Sequence, residues 1–144
     1  MTTDLILRLT QFVSASVERV FDAWLDPLLL EEFMRTGPTQ TVGRVETDPR
    51  VGGRYMIEMV TENGAIPHHG EYREIDRPHR LAFTWNSPHA SPDSVVTLTF
   101  RPIAGGTEVT LEHDRFPSDG ARSGHEKGWS AILGELAAVV EAQA

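Results

Sequence analysis

Cysteine is absent from this chain of 144 residues, which rules out disulfides and thiol chemistry. Lysine is nearly absent too, since among the 13 basic residues only Lys127 is a lysine. The arginines are scattered and the net charge is −8. Binding phosphates takes clustered Lys and Arg, so this charge pattern weighs against nucleic acid and against an anionic membrane surface as partners. No apolar run approaches the roughly 18 residues of a membrane span. The segment MTTDLILRLTQF carries Asp4 and no basic region ahead of its apolar residues, so it does not read as a secretion signal. The default expectation is a cytoplasmic protein. Internal repeats and low-complexity tracts are also missing.

What remains is an ordinary globular balance, 40% hydrophobic and 24% charged, in a length that suits one domain spanning residues 1–144. Its organising stretch is Ser118 to Ala142. There Trp129, Ile132, Leu133, Leu136, Val139 and Val140 recur at helical spacing and form one apolar stripe. Ser118 or Asp119 can cap the helix start. Gly120, Gly124 and Gly128 share another face of the same helix, and with Gly134 each costs roughly 0.5–1 kcal/mol relative to Ala. A helix face without side chains predicts that something lies close against it.

Ahead of this helix, Leu5 to Phe12 reads as a strand. Ser16 caps a helix with Val17, Val20, Phe21 and Trp24 on one face, and Asp26-Pro27 opens a second short helix, LLLEEFM. From Thr41 onward the period becomes two. Strands are predicted at Thr41–Thr47, Arg54–Thr61, His68–Ile75, Arg80–Trp85, Ser94–Arg101 and Thr107–His113. Asn63-Gly64 is read as the central pair of a hairpin turn with both residues at positive φ. Each strand has one apolar and one polar side, so the sheet is antiparallel and covered on one face. The expected class is α+β: a curved antiparallel sheet wrapped around a long C-terminal helix, with two short helices after the first strand. A cavity between the sheet and the glycine-bearing half of the helix follows from that arrangement.

Motifs for covalent chemistry are missing. There is no G-x-S-x-G, and no glycine loop leads from strand to helix to cradle phosphate. The six histidines do not form a metal set. His68 and His69 point to opposite strand faces, His79 and His89 fall in turn and loop, and His113 with His125 lacks a third ligand. No metal and no cofactor is expected. His113 and His125 are instead candidates for polar groups in the cavity. Trp24, Phe33, Met34, Tyr55, Met59, Tyr72, Phe83, Trp85, Phe116 and Trp129 are candidates for its apolar lining, against the plainer reading that each is core. Tyr72, Trp85 and Trp129 carry a polar atom that needs a partner when buried, which makes them the orienting groups for a ligand.

Several spaced motifs resemble one family. Pro49-Arg50-Val51-Gly52-Gly53-Arg54-Tyr55 is similar to the P-x-x-G-G-R-[FY] turn of the START-like, helix-grip (SRPBCC) superfamily. Gly70-Glu71-Tyr72-Arg73-Glu74-Ile75, Arg80 to Trp85, Gly106 to Leu111 with His113, Phe116-Pro117 and Gly124 to Trp129 add to it, as does Ser16 to Pro27. Within the superfamily the chain looks like the branch homologous to the heat-shock-protein ATPase activator. One departure is Phe33-Met34 ahead of Arg35-Thr36-Gly37-Pro38, where that branch usually has paired tryptophans.

The resemblance implies a helix-grip fold and leaves three functional classes. The first is a binder of a small apolar or amphipathic molecule without a covalent step. The second is a polyketide cyclase- or dehydratase-like enzyme using His113 or His125 as acid or base. The third is a chaperone-interacting module with a stress-response role, and a homodimer is compatible with any of them.

Overall fold

The computed structural model of the protein describes residues 5–36, 40–88 and 93–143. In chain order the elements are β1 (Leu5–Val13), α1 (Val17–Ala23), α2 (Pro27–Phe33), β2 (Thr41–Thr47) and β3 (Arg54–Thr61). They continue as β4 (Gly64–Asp76), β5 (Arg80–Trp85), β6 (Ser94–Ile103), β7 (Gly106–Phe116) and α3 (Asp119–Glu141). The seven strands form one antiparallel sheet in the order β1-β7-β6-β5-β4-β3-β2. Sequential hairpins build everything from β2 to β7, and β1 returns to pair with the last strand. The two short helices lie in the connection that spans the sheet from β1 to β2. This is the helix-grip architecture expected from the sequence.

Local chemistry sets the helix ends. Ser16 Oγ accepts from Arg19 N, Asp26 accepts from Leu28 N with Pro27 in the first turn, and Ser118 Oγ accepts from Ala121 N. Each satisfies an amide that the helix itself cannot. On α3, Trp129, Ile132, Leu133, Leu136, Ala137 and Val140 are buried, and Val139 packs partly against them. At about 1.5–3 kcal/mol for each large apolar side chain removed from water, this stripe holds α3 on the sheet.

Alternation along the strands sends Tyr55, Ile57 and Met59 of β3, Val96, Leu98 and Phe100 of β6, and Val109, Leu111 and His113 of β7 inward. The outer face is not uniformly wet. Ala82 and Thr84 of β5 are buried there. Thr84 Oγ1 accepts from Glu71 N, and its carbonyl accepts from the Tyr55 hydroxyl at 2.5 Å. Gly70 is pressed onto this carbonyl so closely that a Cβ would lie 1.9 Å from it, so only glycine fits.

Two details of register differ from the alternation. The β3–β4 hairpin pairs Thr61 with Gly64, so Glu62 and Asn63 are its loop residues and only Gly64 has positive φ. The predicted turn was therefore displaced by one residue, because the start of β4 lies at Gly64 and not near His68. At the end of β7, Arg115 adopts φ of +61° opposite a register shift in β1. That bulge breaks the period of two, so that His113 and Phe116 both face the core although two residues, Asp114 and Arg115, lie between them.

A candidate ligand-binding cleft

The glycine face of α3 opens onto space. Gly120, Gly124 and Gly128 border a cleft of about 440 Å³ between the first half of the helix and the strands β3, β4 and β5. A Cβ on Gly124 would touch nothing within 4 Å, and one on Gly120 would meet only Ser118 Oγ at 3.8 Å. Gly128 is different: its Cβ would lie 3.2 Å from Thr36 Cγ2, where the segment after α2 crosses the helix. The glycines at 120 and 124 are thus bare toward a vacant volume, and that at 128 admits a close neighbour.

The remaining wall is mostly apolar. Met59 and Trp85 contribute from the sheet, and Ala121, Trp129 and Ile132 from α3. Thr36, His68, Ser87 and His125 add polar groups, and among the described residues no Asp, Glu, Lys or Arg stands in this wall. His68 Nδ1 bonds the Ile66 carbonyl at 3.1 Å, and its ring lies 5.0 Å from that of Trp85. His125 Nδ1 donates to the Ala121 carbonyl at 2.8 Å. Thr36 is tied to the Gln40 side-chain oxygen through both its hydroxyl and its backbone N–H.

Behind the wall lies a hydrogen-bonded chain of buried groups. Trp129 Nε1 donates to His113 Nδ1 at 3.1 Å. Indole nitrogen can only donate, so Nδ1 accepts and the imidazole proton resides on Nε2. That Nε2 lies 2.9 Å from Ser94 Oγ, whose own proton goes to the Trp85 carbonyl at 2.9 Å. Burial, and secondarily the neighbouring His125, holds the His113 imidazolium down to a pKa of about 3. His113 is therefore a neutral link with both nitrogens in use.

The predicted lining residues separate into three groups. Met59, Trp85, His125 and Trp129 stand in the cleft wall. Trp24, Met34, Tyr55, Tyr72 and Phe83 surround, together with Trp85, a second void of about 10 Å³, room for one water at most. Phe33, His113 and Phe116 are buried and border neither space. Sequence reasoning passed over Thr36, His68, Ser87, Ala121 and Ile132. Ile132 was signalled by its helical spacing from Gly128 and Trp129, and His68 by alternation with Tyr72. Of the other histidines, His69 faces the opposite side in an outer groove, and His89 lies outside the described residues. Among the described residues no group of three or more His, Asp or Glu is placed to hold a metal ion.

This geometry has relatives. The family model described as activator of Hsp90 ATPase homolog 1-like protein matches residues 14–141. The chain belongs to this family. Among solved structures, protein CV1439 from Chromobacterium violaceum is 29% identical with a TM-score of 0.85, covering 94% of this chain and 97% of that one. The AHSA1-like protein from Aeromonas hydrophila is 23% identical with a TM-score of 0.83, over 96% of this chain and 94% of its own. Protein NE0264 from Nitrosomonas europaea is 22% identical with a TM-score of 0.81, over 96% of both chains. No protein of curated function matches. Family membership establishes the helix-grip scaffold of this AHSA1-like chain. No helix among its described residues is long and apolar enough to cross a membrane.

Proposed function

We propose that this AHSA1-like protein binds an apolar or amphipathic small molecule in the cleft between its sheet and the glycine face of α3, without a covalent step. The observation that carries the reading is the vacant volume of about 440 Å³ against Gly120 and Gly124. Helical glycine is costly, and nothing packs where these two side chains would be. The volume falls in the range of small-molecule sites, and the wall has their usual makeup of aromatic and aliphatic groups with a few polar ones.

The cyclase-like alternative draws less support. A general acid or base needs an exchangeable proton within reach of substrate; both ring nitrogens of His113 are committed to Trp129 and Ser94, and His125 in the wall spends Nδ1 on the Ala121 carbonyl. The chaperone-directed alternative rests on the family description alone. The exposed large apolar side chains Ile6, Phe12, Leu28 and Val51 come from β1, α2 and the β2–β3 turn rather than from one element.

Native mass spectrometry of the protein purified from its own host tests the proposal. The expected result is a retained non-covalent species that disappears in Gly124→Phe, a substitution that fills the cleft from the helix side. Identical spectra for the two proteins, with no retained species and no response to added hydrophobic compounds, would remove the reading.

A further inference from the structure

The aromatic donors around the cleft are not equivalent, and their inequality narrows the class of ligand that the proposed site would take. Trp129 spends its indole N–H on His113, and Tyr55 spends its hydroxyl on the Thr84 carbonyl. Trp24 and Trp85 do neither. Both indole nitrogens are sealed from solvent with no hydrogen-bond partner among the described residues. Trp24 borders only the small inner void, whereas Trp85 also stands in the cleft wall. At 3% exposure Trp85 holds an unpaired donor in the core, an unfavourable state that an incoming acceptor would relieve. Trp85 lines both spaces, and since its N–H is sealed, meeting an acceptor in the cleft would take a turn of the indole edge toward it.

Charge supplies the second constraint. Among the described residues the wall holds no Asp, Glu, Lys or Arg, so an ionised ligand group would lose hydration without gaining a permanent counter-charge there. We infer that the cleft selects neutral, largely apolar molecules bearing a carbonyl oxygen, and that Trp85 Nε1–H is the donor that orients them. This inference rests on the ligand-binding reading above and specifies what that site recognises.

Three probes of similar bulk separate the terms: benzophenone, diphenylmethane and diphenylacetate. Each is titrated into the full chain labelled with ¹⁵N, whose three tryptophans give three indole resonances. Benzophenone is expected to bind about tenfold more tightly than diphenylmethane and to move the Trp85 indole resonance. Diphenylacetate should bind most weakly. In Trp85→Phe the advantage of benzophenone over diphenylmethane should vanish. Should that variant fail to fold, the indole shift in the unmodified chain decides. Equal binding of benzophenone and diphenylmethane with an unmoved Trp85 resonance overturns the inference and leaves the cleft reading standing. Tightest binding by diphenylacetate overturns it as well. If no probe perturbs the amides of Gly120, Gly124 or Gly128, the cleft reading falls and this inference with it.

Discussion

The indole N–H of Trp129 donates to Nδ1 of His113 at 3.1 Å, joining α3 to β7 inside the core. This one bond fixes the tautomer of the histidine and turns its other nitrogen toward Ser94. A side chain that looks catalytic in the sequence thereby becomes part of the frame. It holds the back of the cleft in place, because Trp129 presents one edge to His113 and also stands in the cleft wall.

The burial of His113, with His125 beside it, predicts a pH dependence. His113 resists protonation down to about pH 3 in the folded chain, while an unfolded histidine takes up its proton near pH 6.5. Stability from this group is thus complete above roughly pH 6.5 and is lost as pH falls toward 3. Its share of the slope is on the order of 1 kcal/mol per pH unit, clearest between roughly pH 5 and 6 before carboxylates titrate. Urea unfolding of the chain and of His113→Phe across that interval checks it. The variant should be less stable at neutral pH by about 2–4 kcal/mol, since Trp129 and Ser94 lose their partner, and its profile should be flatter. Parallel profiles would refute the assignment.

The two tyrosines give the opposite sign at high pH. Burial raises Tyr55 well above the usual phenol value, with Tyr72 adding to it, and burial followed by Asp48 raises Tyr72. The folded chain keeps these protons where the unfolded chain releases them, so stability is intact below about pH 10 and falls above it. Since the chain has only 2 tyrosines, its phenolate absorbance should stay flat through pH 10 and rise abruptly with unfolding. A smooth rise near pH 10 with native structure retained would contradict the burial of both hydroxyls. Tyr55→Phe should cost about 1–2 kcal/mol, because the Thr84 carbonyl loses its donor.

Glycines of α3 separate stability from binding. Neither Gly124 nor Gly134 would place a Cβ within 4 Å of anything. Alanine at either position should raise stability by about 0.5–1 kcal/mol through better helix propensity. Only the change at Gly124 intrudes on the cleft, so Gly124→Phe should abolish ligand retention while Gly134→Ala preserves it. Gly128→Ala should gain less than either, since its methyl presses on Thr36. Urea midpoints beside native mass spectra distinguish these outcomes, and loss of ligand in Gly134→Ala would break the link between the cleft and binding.

The fold was legible because each element carries a period that only one arrangement satisfies. The stripe from Trp129 to Val140, the alternation from Thr41 onward, and Ser16, Asp26 and Ser118 as caps were all readable from local chemistry. The bare face at Gly120 and Gly124 borders the cleft proposed above as the binding site. Which aromatics border that gap was not legible, since Tyr72 and Trp85 have the same alternation signal yet only Trp85 reaches the cleft. Position along the sheet decides this: Tyr72 pairs with Phe83, two residues along β5 from Trp85, and where the cleft ends along that direction depends on tertiary packing. The role of His113 was equally hidden, because a buried link and a catalytic base share one residue type until their partners are known.

Trp129 joins both roles, so its removal separates wall from core. The side chain is 2% exposed and its ring lies 4.7 Å from that of Trp85 and 6.5 Å from that of Trp24. Truncation to alanine removes these contacts and leaves His113 Nδ1 without a donor. The expected cost is about 3–5 kcal/mol, the range for a large aromatic deleted from a packed interior. A loss below about 1 kcal/mol in urea unfolding would mean that the indole merely borders open space. Trp129→Phe divides the cost: it keeps a six-membered ring in place and loses the donor with the rest of the indole, so it should destabilise by about 1–3 kcal/mol. It should also raise the pH at which His113 protonates, because Nδ1 no longer faces a committed donor. Histidine resonances followed by NMR from pH 7 downward would register that rise, and an unchanged His113 titration would show that burial and His125 set its neutrality without the indole.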